Sequence, residues 1–250
     1  QGPCVLLLHG FMEDHTIWKT LVPLLEKNFR VITPDLHGHS KSETAGPVHT
    51  MEKMAAAMWN VLSAEGIRET IITGHSLGGY VALEMARMEP TRVKGVCMLH
   101  STALPDSDIK KKERDRVIKV MEMSPAVFIR EAIPNLFAED LKKIFQHEIN
   151  ELTERALQHN TDGLIATTRG MRDRSDGLEW LKKQKIPFHY IIGKKDPVIP
   201  FDMYAQQLTA GKHVSSFISE KSGHMGFIED TAAILNSIVS FIKKYTPETI

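Results

Sequence analysis

The sequence predicts an α/β fold with a mostly parallel sheet covered by helices on both faces. Short runs rich in Val, Ile and Leu, such as Cys4 to Leu8 and Val93 to Leu99, suit strands buried on both sides. Stretches of helical periodicity separate these runs, the pattern that places parallel strands in one sheet. The length of 250 residues, with 42% hydrophobic and 25% charged positions, fits one large domain and excludes a disordered or fibrous chain.

Cys4 to Leu8 is read as the first strand, Ile17 to Glu26 as the helix after it, and Phe29 to Thr33 as the second strand. Met51 to Glu65 is an amphipathic helix whose Met51, Met54, Ala55, Met58, Val61 and Leu62 form one apolar stripe, read as core. Thr70 to Thr73 and Val93 to Leu99 are strands flanking a helix at Leu77 to Met88. Between Leu99 and Phe188 the strand rhythm stops, and the segment reads as inserted helices at Asp106 to Met123, Pro125 to Phe137, Ala138 to Asn150, Leu152 to His159 and Asp162 to Arg172. Gly177 to Gln184 returns to the sheet as a covering helix. Strands at Phe188 to Ile192 and His213 to Ile218 follow, and the apolar helix Thr231 to Tyr245 closes the fold. Residues 1–103 and 177–250 are therefore expected to form the sheet and its helices, and 104–176 an insertion within a single domain.

Charge narrows the choice of partners. Lys plus Arg and Asp plus Glu are both 31, so no general attraction to nucleic acid or an anionic membrane is expected. The one basic run, Lys110 to Lys112, continues into Glu113, Arg114, Asp115 and Arg116, a mixed pattern read as a solvated helix face. No apolar run approaches the roughly 20 residues that span a bilayer. Cys4 and Cys97 sit in strand-like runs and read as buried free thiols, which makes a cytoplasmic setting the expectation. The chain opens on Gln1 and enters an apolar run almost at once, so its natural N-terminus is expected to be missing.

Three motifs carry the chemistry. Gly74-His75-Ser76-Leu77-Gly78 lies between a predicted strand and a predicted helix, the context required of a G-x-S-x-G nucleophile elbow. The sharp turn lifts Ser76, and the start of the following helix aims free N–H groups at the reaction site. A serine hydroxyl needs an imidazole to take its proton and a carboxylate to orient that imidazole. Asp196 follows a strand in a loop bracketed by Gly193 and Pro197, and His224 follows the next strand in a glycine-flanked loop. The carboxyl ends of strands are where open α/β sheets keep their sites. Asp106 and Asp108 are competing acids, with Asp106 read instead as an N-cap opening the insertion.

A fourth segment, Leu7-Leu-His-Gly-Phe-Met12, precedes these. With the order Ser76, Asp196, His224, the sequence resembles the α/β-hydrolase fold superfamily along essentially its whole length, in particular cap-containing serine hydrolases and esterases. The resemblance implies a catalytic triad of Ser76, Asp196 and His224, and an oxyanion hole made by the backbone N–H groups of Phe11 and Leu77. It implies a helical cap at 104–176 and an antiparallel strand pair before Cys4, here expected to be absent. Pro34 to Ser42 is similar to the family's D-x-R-G-x-G-x-S stretch, with His37 in place of Arg and Ser40 in place of Gly. No metal is expected at His37 and His39, and His9 is read as structural. Serine at position 76 argues against relatives whose nucleophile is a carboxylate.

The expected reaction is two-step acyl transfer on a small-molecule carboxylic ester or thioester, with no metal and no cofactor. Met12, His100, Phe128, Ile129, Ile133, Leu136, Phe137 and Val198 are the pocket candidates, with core packing against the main domain an equal reading for Phe128, Ile129, Ile133, Leu136 and Phe137, and a packed, hydrogen-bonded position the alternative for His100. Alternatives within the superfamily are carbon–carbon bond hydrolysis, cofactor-free perhydrolysis, aminopeptidase or lyase chemistry, and a slow-hydrolase ligand receptor. Monomer and homodimer both remain open.

Overall fold

The computed structural model describes residues 2–246. Six strands, β1 (Cys4–Leu8), β2 (Arg30–Ile32), β3 (Thr70–His75), β4 (Val93–Leu99), β5 (Phe188–Gly193) and β6 (Val214–Ser219), form one sheet in the order β2-β1-β3-β4-β5-β6. Every neighbouring pair is parallel, which the long connections between successive strands require. The chain runs outward from β1 to β2 and then back across to β3, so the loops after β1 and β3 diverge at a switch point where such sheets bind ligands. Among the described residues β2 is an edge strand, and no antiparallel strand joins it.

The helices are α1 (Val22–Leu25), α2 (Met51–Ala64), α3 (Leu77–Met88), α4 (Asp108–Met123), α5 (Pro125–Ala132), α6 (Gln146–Ala156), α7 (Thr161–Arg172), α8 (Leu178–Lys183), α9 (Ala205–Leu208), α10 (Gly226–Glu229) and α11 (Thr231–Tyr245). Strand alternation divides the core in two. Cys4, Leu6 and Leu8 join α2, α3 and α8 on one face, whereas Val5 and Leu7 join α1 and α11 on the other. On α2 the buried stripe includes Trp59 rather than Val61, which is half-buried. Cys4 on β1 and Cys97 on β4 are free and buried, with β3 between them. No helix among the described residues is long and apolar enough to cross a membrane.

Four expected helices differ, each for a local reason. Ile17 to Glu26 is a 3₁₀ turn, His15–Trp18, followed by α1, because Pro23 fits only the first turn of a helix. Pro125 to Phe137 is α5 and then a 3₁₀ turn at Pro134–Leu136, because Pro134 cannot donate to the preceding turn. Ala138 to Asn150 and Leu152 to His159 are replaced by turns and the single helix α6. The Ala138 N–H is taken by the Glu229 carboxylate at 2.7 Å, which ties this stretch to α10 after β6. Asp106 does not cap α4. Ser107 does, accepting from Lys110 N at 3.2 Å, while Asp106 pairs with Arg114 and Arg174.

The segment 104–176 leaves and rejoins the sheet through adjacent backbone. Gly177 N donates to Ala103 O at 2.8 Å, and Arg174 donates to Leu104 O. Side chains of α4 and α5 border one cavity with residues that follow β1 and β3.

Candidate active site

Ser76 sits between β3 and α3 with φ 48° and ψ −112°, a strained conformation held by its surroundings. Glycine is required on both sides. A Cβ on Gly74 would lie 2.3 Å from the Gly78 carbonyl, and one on Gly78 would lie 2.2 Å from Leu8 O. Gly79 extends the requirement, because its Cβ would meet the Ser101 hydroxyl at 2.2 Å. That hydroxyl donates to Ser76 O at 2.7 Å. Among the described residues, neither Phe11 N–H nor Leu77 N–H has a backbone partner, so both are free to donate to a bound oxygen.

Asp196 is buried, and its two oxygens do different work. Oδ1 accepts from Val198 N at 2.8 Å and Ile199 N at 3.0 Å, which fixes the carboxylate, and Oδ2 lies 2.8 Å from His224 Nδ1. Burial pushes the Asp196 carboxyl up, but His224 and these hydrogen bonds outweigh it and hold it below its ordinary value. A carboxylate only accepts, so His224 Nδ1 carries the hydrogen and Nε2 is left as a base. Ser76 and His224 line the same cavity, though Ser76 Oγ makes no hydrogen bond to the His224 ring in this conformation.

The His224 loop is gripped at four further points that the motifs do not announce. His224 N donates to Leu136 O at 2.9 Å. Glu229 accepts from Gly223 N at 2.8 Å and Met225 N at 3.2 Å, one residue on either side of His224, while its other oxygen takes Ala138 N. Burial pushes this carboxyl up to about 7 against the pull of the three N–H groups. His75 Nε2 donates to His224 O at 2.9 Å, and His75 Nδ1 donates to Glu13 Oε2 at 2.8 Å. Two acceptors require hydrogens on both ring nitrogens, so His75 is a buried imidazolium paired with Glu13. Burial works against the charge on each, but their attraction and hydrogen bonds leave His75 raised and Glu13 lowered. The same Glu13 oxygen accepts from Gly10 N at 2.5 Å, joining the loop that carries Phe11 to the one that carries His224.

His9 donates through Nδ1 to Gly10 O at 2.8 Å and accepts at Nε2 from Leu36 N at 2.9 Å, a neutral tautomer that holds two loops together. His39 is buried and bonds His37 O at 3.0 Å. Among the described residues no group of three His, Cys, Asp or Glu side chains is arranged to hold a metal. Pocket membership differs from the sequence reading. Met12, Phe128, Leu136 and Val198 line a cavity of about 290 Å³ beside Ser76 and His224. Ile129, Ile133 and Phe137 do not. They are almost fully buried in the apolar core shared by α4, α5 and α6, the helix face turned away from the cavity. His100 is not lining either. It has φ 45° and lies behind Asp196, with Nδ1 3.7 Å from Oδ2 and both ring nitrogens without a hydrogen bond.

Sequence reasoning missed Glu13, His75 and Glu229, since a charge near a motif looks alike whether buried or solvated. Lys110 and Arg114, which the mixed charge pattern places on a solvated helix face, border the cavity with Tyr80 and Met171.

A profile described as the alpha/beta hydrolase fold matches residues 3–231, and the chain belongs to that family. An esterase from Thermogutta terrifontis, solved with malate bound, superposes with a TM-score of 0.92 at 30% identity, covering 98% of this chain and 91% of that one. A pimeloyl-[acyl-carrier protein] methyl ester esterase of Pseudoalteromonas atlantica is 27% identical over 94% of this chain and 92% of its own length. An uncharacterized protein of Mycobacterium bovis is 28% identical over 99% of this chain and 77% of its own length.

Proposed function

We propose that the chain is a serine hydrolase that cleaves a small-molecule carboxylic ester or thioester through an acyl-enzyme. Ser76 Oγ attacks the carbonyl as His224 Nε2 takes its proton, and Asp196 holds the imidazole. Negative charge developing on the carbonyl oxygen falls to the N–H groups of Phe11 and Leu77, each worth roughly 2.7–4 kcal/mol in such sites. His224 then returns the proton to the leaving alcohol or thiol, and water activated by the same ring releases the acid. The observation that carries this reading is the meeting of Ser76, an Asp196-oriented His224 and two unpartnered N–H groups at one cavity.

Residues 104–176 act as a cap, and their α4 and α5 side chains limit the substrate to a small molecule. The cavity lies at the small end of the range for such sites, roughly 300–1,000 Å³. The esterase relatives support ester over other acyl chemistry. Two buried unpaired cysteines support a reducing, cytoplasmic setting. Labelling with a fluorophosphonate and hydrolysis of a nitrophenyl ester series test the assignment. Wild type should label and turn over short acyl chains continuously, and Ser76→Ala should do neither. Labelling that survives in Ser76→Ala would remove Ser76 from the reaction.

A further inference from the structure

The cavity beside Ser76 is lined by two cations that bond cleavage does not use. Lys110 and Arg114 lie one turn apart on α4 and so share a face, and both reach the cavity wall. The one acid on that wall, Glu13, is buried and already matched by His75 at 2.8 Å. The wall is therefore net positive.

Neither cation is neutralised by its own partner. Arg114 Nε donates to Asp106 Oδ2 at 3.0 Å, but the other oxygen of Asp106 takes Arg174 Nη1 at 2.6 Å. One carboxylate thus serves two guanidinium groups. Among the described residues the terminal nitrogens of Arg114 make no hydrogen bond, while its Nε contact fixes the plane of the fork. Lys110 meets Glu113 at 3.1 Å, a solvent-exposed pair of little energetic weight, and Glu113 does not line the cavity. The rest of this wall is mainly apolar, from Val117, Phe128, Leu136 and Met171, with the neutral polar groups of Tyr80 and Asn135 beside them.

Filling such a chamber with a neutral molecule strips water from the cations and returns nothing. A carboxylate on the same molecule replaces that water with charge-assisted hydrogen bonds, for which a partly anchored guanidinium is suited. We propose that the ester taken by this site carries a second, anionic group, a carboxylate, that seats against Lys110 and Arg114 while its ester carbonyl lies at Ser76. The inference rests on the serine-hydrolase reading and adds a substrate class to it.

The test compares kcat/KM for two matched series on the wild-type protein, followed by proton release. One series holds monomethyl esters of straight-chain dicarboxylic acids and acetate esters of short hydroxy acids, so that the carboxylate lies on either side of the ester. The other holds neutral esters of equal length. At least one charged type should be preferred by about tenfold or more, and the preference should shrink as salt is raised. Arg114→Gln and Lys110→Met should each reduce that ratio several-fold, mainly through KM, while Lys112→Gln on the exposed side of α4 leaves the ratio unchanged. Arg174 still holds Asp106 in Arg114→Gln, and Lys110→Met breaks only the exposed pair, so both variants should fold. Equal or better turnover of neutral esters, or an equal loss on both series in the two variants, overturns the inference and leaves the hydrolase reading standing. No labelling and no turnover in either series overturns both.

Discussion

The two walls of the cavity are built by different means. The wall formed by the ends of β1, β3, β5 and β6 is set by backbone loops, fixed by glycines in close approach and by buried carboxylates that each serve several N–H groups. The wall formed by α4 and α5 is side chains, apolar apart from Lys110 and Arg114, with Asn135 at its edge. The first wall has little freedom. Glu13, Asp196 and Glu229 together tie four loops, so removing one group displaces several others. The second can change shape or charge one residue at a time. Under the proposed function, chemistry falls to the rigid side and selection to the adjustable one.

The largest break in that contrast should come from Asp196→Asn. An amide in place of the carboxylate presents the wrong tautomer to His224, and kcat should fall by roughly 10,000-fold with the fold intact. A drop of less than tenfold, measured on a nitrophenyl ester, would show that another acid orients the ring.

Glu13→Gln should be next, acting on stability. It strips a buried imidazolium of its counter-charge, a change that costs about 3–5 kcal/mol. The sign with pH follows from the two groups. Glu13 is held below its ordinary 4.5, so its contribution is present above that value and lost as pH falls through the lowered one. His75 is raised above 6.5, so its contribution is full below 6.5 and lost as pH rises through the raised value. The Tm gap between wild type and Glu13→Gln should be widest between these ordinary values and narrow above pH 6.5. A gap that stays constant to high pH would mean that His75 is neutral.

Glu229→Gln should be milder. A glutamine must turn its NH₂ toward Ala138 N or toward the N–H groups of Gly223 and Met225, a mismatch worth roughly 1–3 kcal/mol. Because those residues flank His224, kcat should fall together with Tm. Stability lost without any change in kcat would separate this clamp from His224 positioning. Smallest of all should be Phe11→Leu, which keeps the backbone donor and should leave turnover within about threefold of wild type. A larger loss would give the Phe11 ring a part in binding.

Legibility in the sequence tracked locality. Strands β1 and β4 and helices α3 and α11 match their expected ends because one run of apolar periodicity defines each. The helices that differ are those where proline or a distant partner decides, as Glu229 does for Ala138. In the site, Ser76, Asp196 and His224 stand out because each lies in a loop of recognisable chemistry. Ile129, Ile133 and Phe137 are left open between pocket and core by the sequence because they share α5 and its following turn with Phe128 and Leu136, and the choice of face depends on where α4 and α6 pack.

The sequence by itself determined the sheet, the insertion and the strand-end loops bearing serine, acid and histidine, since these follow from short-range periodicity and turn chemistry. Only the tertiary structure decided which charges are buried. Glu13 and His75 lie 62 residues apart in the chain and meet at 2.8 Å, and Arg114 and the partly exposed Lys110 border the cavity beside Ser76. A charged side chain carries no local mark of its surroundings, because burial is a property of what folds over it.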